Sequence, residues 1–316
     1  MTGAISASVD RKADQQLRTL QARTLNKYAP GTVRRIRSPH GETQVLELGD
    51  GPPIVLVHGG LGQATDWVPI MAQLGREFRV YAVDRPGHGL ADSFDYRGVE
   101  ILPHAVRFLE AILAGLQLER AVLVGNSMGG RWVIEYALHH PDKVSHIVLP
   151  GLPAGAVRAL PREFFEVSGL LHLMQRPVIG AVVRYSLGRP SARERARQGM
   201  QALMSHPERL SDEMLDCGTF NFLRNRRSML TLIRQATDDR GMRPELVLTD
   251  RWQDLRVPIS FLWGERDSFG PPELGREAAA RVPHGSCLPI PDSGHLPWLD
   301  EPDRVAMEIT KAASRG

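Results

Sequence analysis

The sequence predicts an α/β fold: a mostly parallel central sheet with helices on both faces, interrupted late in the chain by a helical insertion. Three observations predict it. Short continuous apolar runs at Pro53–Val57, Arg79–Val83, Ala121–Val124 and Pro258–Trp263 are too brief for helices, and each ends in a loop of Gly, Pro, Asp or His. Helical stretches separate those runs, and such alternation lays parallel strands beneath helices on both sides. The segment from Gly151 to Arg256 contains no comparable run.

Residues 1–31 form an N-terminal extension, with Val9, Ala13, Leu17, Leu20 and Leu25 among charged and Gln residues, and a stop at Pro30-Gly31. An unstructured tail, a helix laid on the same chain, and a dimer contact all fit that pattern. Thr32–Arg37 and Thr43–Leu48 alternate as a hairpin across Pro39-His40-Gly41, antiparallel at the sheet edge. Parallel strands then begin near Ile54, Val80, Val122, Ile147 and Ile259, with a helix from Arg131 to His140, another from Pro271 to Val282, and a short strand near Cys287–Ile290. Residues 32–150 and 257–316 make the core. Residues 151–256 read as helices broken at Pro161, Pro177, Gly188-Arg189-Pro190, Pro207 and Pro244. Arginine outnumbers Asp plus Glu in this insertion, but Arg193, Arg195 and Arg197 alternate within a polar run, which favours a solvated face over an anion-attracting one.

A chain of 316 residues with 42% hydrophobic composition can bury one large core. The net charge of +3 is carried almost wholly by arginine, since Lys occurs only as Lys12, Lys27, Lys143 and Lys311. Acidic residues are interspersed and no basic run accompanies a binding motif, so nucleic acid is not an expected partner. Cys217 and Cys287 stand far apart, and neither C-x-x-C nor H-E-x-x-H spacing occurs. A disulfide framework, a metal site and a cofactor are therefore not expected. The first residues lack a basic segment followed by an apolar one, and no apolar run approaches the ~18 residues of a membrane span, so cytoplasmic residence is expected.

Chemistry concentrates at Gly125-Asn126-Ser127-Met128-Gly129, between an apolar strand and a helical segment. A G-x-S-x-G turn there forces a strained, exposed serine, with the following helix offering its free N–H groups and dipole to a developing oxyanion. Downstream, one strand closes on Gly264-Glu265-Arg266-Asp267 and the next on Asp292-Ser293-Gly294-His295. The order is Ser127, Asp267, His295, each at the carboxyl end of a strand, where an open α/β sheet builds its sites.

With the His58-Gly59-Gly60 and Asp84-Arg85-Pro86-Gly87-His88-Gly89 loops, Gly130 after the elbow, and Pro297 and Trp298 after Gly294-His295, the chain resembles the α/β-hydrolase superfamily, in its serine-nucleophile branch with a helical cap. The signatures run from about residue 40 to the C-terminus apart from the middle. The resemblance implies an α/β-hydrolase fold with 151–256 as the cap. Ser127 is the expected nucleophile, His295 its base, and Asp267 the residue that holds the imidazole tautomer. Glu265 and Asp292 compete for the last role, and His88 or His284 would replace His295 only by leaving the strand ends. The N–H groups of Met128 and Gly60 are the expected oxyanion hole, with Leu61 an alternative to Gly60. Leu61, Asn126 and Trp298 are expected against substrate, with a local backbone hydrogen bond the other use of Asn126 and Met128 also walling the pocket, while Trp67 and Trp132 are assigned to packing. Met200, Leu203, Met204, Phe220, Phe222, Met229 and Leu232 form either an apolar acyl pocket or the cap's own core.

The function expected is hydrolysis of a carboxylic ester, thioester or lactone of a small apolar molecule. Two alternatives stand beside it. The elbow is also similar to that of C–C hydrolases of ring-cleavage products, although Leu296 follows His295 where that subfamily carries tryptophan, and Gly60-Leu61-Gly62 lacks its Gly-Pro. A receptor using the pocket without turnover is the other. Haloalkane dehalogenases and epoxide hydrolases of this fold need aspartate at the elbow, so Ser127 disfavours both. Oligomeric state is left open, a dimer included.

Overall fold

A computed structural model describes residues 11–160, 191–248 and 250–315. The chain begins with helix α1 (Arg11–Tyr28), then the hairpin β1 (Thr32–Ser38) and β2 (Gly41–Leu48), strand β3 (Pro53–Val57), helix α2 (Val68–Leu74) and strand β4 (Arg79–Val83). Helix α3 (Ile101–Gly115) leads to strand β5 (Ala121–Gly125), helix α4 (Ser127–His139) and strand β6 (Val144–Pro150). Then come helices α5 (Ala192–Leu203) and α6 (Asp212–Ala236) and a ribbon of β7 (Thr237–Asp238) and β8 (Gly241–Met242). Strand β9 (Ile259–Gly264), helix α7 (Pro272–Arg281), strand β10 (Gly285–Ile290), the single turn α8 (Pro297–Asp300) and helix α9 (Pro302–Ala313) complete it. The expected breaks at Pro161, Pro177 and Gly188-Arg189-Pro190, and Val9 of the extension, lie outside the described residues.

Eight strands form one sheet in the order β1-β2-β4-β3-β5-β6-β9-β10. Only the pairings of β2 with β1 and β4 are antiparallel; the rest are parallel. Side chains alternate between two buried faces, as a parallel strand covered on both sides requires. Val55, Val57, Tyr81, Val83 and Leu123 join the core under α3 and α4. Ile54, Leu56, Val80, Ala82, Val122 and Val124 join the core under α2 and α9. That is why the sequence runs read as unbroken apolar segments rather than alternating ones. In register, Val57 lies beside Gly125, Pro150 beside Leu262, and Gly264 beside Ile290. The carboxyl ends of β3, β5, β6, β9 and β10 therefore share one edge, and every candidate site loop leaves from it.

Two serines set the start of the helices after residue 190. Ser191 accepts a hydrogen bond from Glu194 N and Ser211 from Met214 N, satisfying first-turn N–H groups that the helix itself leaves unpaired. Arg193 of α5 pairs with Asp212 and Asp216 of α6, so this arginine joins the two helices rather than facing solvent alone. The N-terminal segment is a helix against α6 of the same chain. Its Leu17 packs on Leu90 and Cys217, Leu25 enters the α2–α9 core, and Lys27 and Asp14 pair with Glu213 and Arg224. Full burial of such leucines contributes about 1.5–3 kcal/mol each. Among the described residues, no helix is long and apolar enough to cross a membrane.

Candidate active site

Helix α4 begins at Ser127, not at Arg131 as the sequence pattern suggested, because the backbone enters helical bonding at once: Gly130 N donates to Asn126 O. Ser127 itself takes a φ of +50°, a left-handed conformation costly for a side chain with a Cβ. Glycine on either side makes the turn sterically possible. A Cβ on Gly129 would stand 2.2 Å from Val57 O, and one on Gly125 would stand 2.7 Å from Gly129 O. From Ala121 to Ala137 every residue is buried except Ser127. The strain thus lifts one hydroxyl-bearing residue out of a closed core.

Of the two uses expected for Asn126, substrate contact and a backbone hydrogen bond, the structure shows the second, though to carbonyls distant in sequence. The side chain is buried, and Nδ2 donates to Pro150 O at 2.8 Å and His295 O at 3.1 Å. The amide ties the elbow to β6 and to the histidine loop. Trp298, expected against substrate, is instead 1% exposed, stacks on Trp67 at 4.2 Å between ring centres, and donates its indole N–H to Asp66 O. Both tryptophans belong to the core between α2 and α8. Met128 is buried, whereas Leu61 is 46% exposed beside the site, the one expected substrate contact with a large free apolar surface.

His295 and Asp267 meet as a buried pair. Nδ1 lies 3.0 Å from Oδ1 and 2.9 Å from Oδ2 of Asp267. The carboxylate also accepts from Phe269 N and Leu152 N, each at 2.9 Å. With every donor converging on Asp267, Nδ1 of His295 carries a proton toward the carboxylate, and Nε2 is the ring nitrogen left over for other partners. The backbone of His295 is fixed from both sides, its N–H donating to Leu203 O at 2.7 Å and its carbonyl accepting from Asn126. Among the rivals, Glu265 is exposed, and Asp292 instead pairs with His206 and Arg266, each at 2.6 Å. His284 precedes β10, at the opposite end of that strand from His295.

The loop after β3 approaches Ser127 closely: a Cβ on Gly59 would come within 3.3 Å of Ser127 Cβ, whereas one on Gly60 would meet nothing within 4 Å. Among the described residues, no acceptor faces the N–H of Gly60 or Leu61. Behind the loop lie Arg85, His88 and Asn221. Arg85 was visible in the sequence only as part of a glycine-containing loop, His88 only there and as a rival to His295, and Asn221 sits in α6 with no local motif to mark it. His58 Nε2 accepts from Arg85 N at 3.0 Å, so its Nδ1 carries the proton and donates to Gly59 O; burial holds its pKa well below the ordinary value. Burial, with the Arg85 charge, pushes His88 down to about 3, and burial lowers Arg85 to about 10.

Comparison with known proteins matches residues 54–308 to the model of the alpha/beta hydrolase family. A pimeloyl-acyl-carrier-protein methyl ester esterase of Vibrio atlanticus is 26% identical over 279 residues, covering 84% of this chain and 96% of its own. A 2-hydroxy-6-oxononadienedioate/2-hydroxy-6-oxononatrienedioate hydrolase of Paraburkholderia phymatum is 27% identical over 263 residues, covering 83% and 84%. Among solved structures, carboxylesterase CesB (YbfK) from Bacillus subtilis shares the fold with a TM-score of 0.76 at 20% identity, over 96% of this chain and 99% of that one.

Proposed function

This chain belongs to the alpha/beta hydrolase family, and from that premise we propose that it is a serine hydrolase cleaving a carboxylic ester of a small apolar substrate through an acyl-enzyme intermediate. The observation that carries the reading is the part-exposed Ser127, strained at φ +50°, on the sheet edge that also holds the buried His295–Asp267 pair. A serine hydroxyl is too weak an acid to attack a carbonyl unless a base takes its proton in the same step. Nε2 of His295 is that base, because Nδ1 is committed to Asp267. The N–H groups of Met128 and Gly60 receive the oxyanion, and loss of one such donor typically raises the barrier by about 3 kcal/mol. His295 then gives its proton to the leaving alkoxide, and water repeats the sequence on the acyl-enzyme. Residues 151–256 act as a cap over this edge, with Leu61 against the substrate's apolar part.

The methyl ester esterase of Vibrio atlanticus supports ester cleavage, and the Paraburkholderia phymatum hydrolase supports the C–C alternative at a similar identity. Leu296 after His295 and the lack of Gly-Pro in Gly60-Leu61-Gly62 favour the ester. The test is kinetic. Ser127→Ala should reduce kcat on a p-nitrophenyl ester by roughly 10⁴-fold or more without unfolding the protein, and a fluorophosphonate should label the Ser127 peptide. Asp267→Asn should lower kcat by up to about 10⁴-fold through the wrong imidazole tautomer, while Asp292→Asn stays close to wild type. Full activity of Ser127→Ala, or a larger loss at Asp292, would overturn the assignment. Tight binding of an ester without turnover would favour the receptor, and preferential cleavage of a vinylogous diketone the C–C hydrolase.

A further inference from the structure

Three of the four successive carbonyls after β3 accept hydrogen bonds from side chains elsewhere in the chain, and the fourth, Gly60 O, lies against the His88 ring. Gly59 O accepts from Arg85 Nη2 at 2.5 Å, beside His58 Nδ1 at 2.9 Å and Gly62 N at 3.2 Å. Gly60 O faces His88 Nε2 at 2.8 Å, the same ring meeting Pro86 O through Nδ1 at 2.9 Å, and Leu61 O and Gly62 O accept from Asn221 Nδ2 at 3.3 and 3.2 Å. A planar trans peptide points its N–H away from its C=O. Carbonyls drawn back toward Arg85 and His88 therefore turn the N–H groups of Gly60 and Leu61 the other way, where consecutive free N–H groups make an anion-binding concavity.

Arg85 is the unusual member of this backing. It is completely buried, yet among the described residues no carboxylate pairs with it. The adjacent Asp84 turns its carboxylate to Ala64 N and Leu90 N instead. Arg131, also fully buried, shows the ordinary solution, with Glu135 at 2.8 Å. Arg85 has only the face of Trp132, 4.8 Å from its guanidinium carbon, and the Gly59 carbonyl; Nε and Nη1 find no hydrogen-bond partner among the described residues. A buried cation without a counter-charge is destabilising in the resting protein. That penalty falls when negative charge develops nearby, and the Gly59–Gly60 peptide joins Arg85 at its oxygen end to the reacting centre at its N–H end.

We propose that Arg85 is the positioning residue of the oxyanion hole: through Gly59 O it fixes the outward-turned Gly60 N–H, and its unneutralised charge stabilises the oxyanion through that peptide. Arg85 touches neither the substrate nor the reacting atoms. The inference rests on acyl transfer at Ser127.

Arg85→Met keeps the aliphatic stem over Trp132 and removes donor and charge together, whereas Arg85→Lys returns the charge and a donor. On a p-nitrophenyl ester, Arg85→Met should lower kcat about 10²-fold, in the range for losing an oxyanion-hole donor, with KM within about twofold. Affinity for a trifluoromethyl ketone, which forms a tetrahedral adduct, should fall by the same factor, since only the transition-state-like species gains from the charge. Arg85→Lys should recover at least about tenfold of both losses. Unchanged kcat in Arg85→Met overturns the proposal. So does a kcat loss without a matching loss of ketone affinity, or a raised KM at constant kcat. Should Arg85→Met fail to fold, Arg85→Gln replaces it, retaining a donor toward Gly59 O without charge; wild-type kcat there overturns the proposal equally. Fluorophosphonate labelling separates the two levels: wild-type protein unlabelled at Ser127 defeats the acyl-transfer reading and this proposal with it, whereas labelling in every variant with unchanged kcat defeats Arg85 alone.

Discussion

The two loops that flank Ser127 are held by opposite means. The elbow is fixed by its own backbone: Gly125 and Gly129 sit where a Cβ would stand within 2.7 Å of Gly129 O and 2.2 Å of Val57 O, so contacts within a few residues and one neighbouring strand define it. The loop Gly59–Gly62 has no such steric necessity at its tip, where Gly60 faces open space. It is held instead by Arg85 and Asn221, the latter from a helix far along the chain, with the His88 ring against Gly60 O. A site can thus combine one half that is rigid by local geometry with another whose shape depends on distant side chains, and the two halves should respond differently to substitution.

The largest expected contrast is between Gly129→Ala and Gly60→Ala. The first drives a methyl into the carbonyls of Val57 and His58, at 2.2 and 2.4 Å, and should destabilise the fold by about 3 kcal/mol or more. The second meets nothing within 4 Å and should leave stability within about 0.5 kcal/mol. Urea midpoints of the two variants measure this, and equal losses would erase the distinction between the loops.

Asn221→Ala sharpens the comparison from the other side. The side chain accepts from Gly89 N at 2.8 Å while donating to Leu61 O and Gly62 O, so its removal orphans buried polar groups and should cost about 2 kcal/mol. Turnover should fall as well, because the glycine loop loses its tie to α6. Destabilisation with wild-type kcat would mean that Arg85 suffices to hold the loop.

The smallest effect concerns the histidine loop. His206 Nε2 meets Asp292 at 2.6 Å, Nδ1 meets Glu208 at 3.0 Å, and Asp300 accepts from His206 N and Gly294 N. The hydrogen bonds to Asp292 and then Glu208 raise the His206 pKa against the opposing charge of Arg209. A raised folded-state value stabilises fully below the unfolded value near 6.5, and the contribution fades as pH rises through the raised value. The gap in Tm between wild type and His206→Gln should therefore be wider at pH 5.5 than at pH 8.5. An equal gap would show that the imidazolium does not fasten this segment.

Much of the fold was legible because its signals are local. Apolar runs such as Ile54–Val57 are buried on both faces, so their composition alone marks them, and the β1–β2 turn carries its own Pro-His-Gly signature. The strand-end positions of Ser127, Asp267 and His295 were legible because each follows a strand and a glycine-bearing turn. Trp298 was misplaced for the same reason: its neighbours in sequence line the site, but its ring turns to Trp67, just as the amide of Asn126 reaches past its own loop to Pro150 and His295. No local pattern records where a side chain points once helices and strands have packed.

By itself, then, the sequence determined the strand order along the chain, the elbow and the spacing that brings serine, aspartate and histidine to strand ends, since periodicity and glycine sterics act over a few residues. Tertiary structure alone decided that α1 lies on α6, that Asp292 belongs to His206 rather than His295, and that an Arg85 with no carboxylate partner among the described residues stands behind Gly59. Those outcomes depend on which groups burial brings within hydrogen-bonding distance across as many as two hundred residues of chain, and an unpaired buried charge becomes visible only when all of its neighbours are in place.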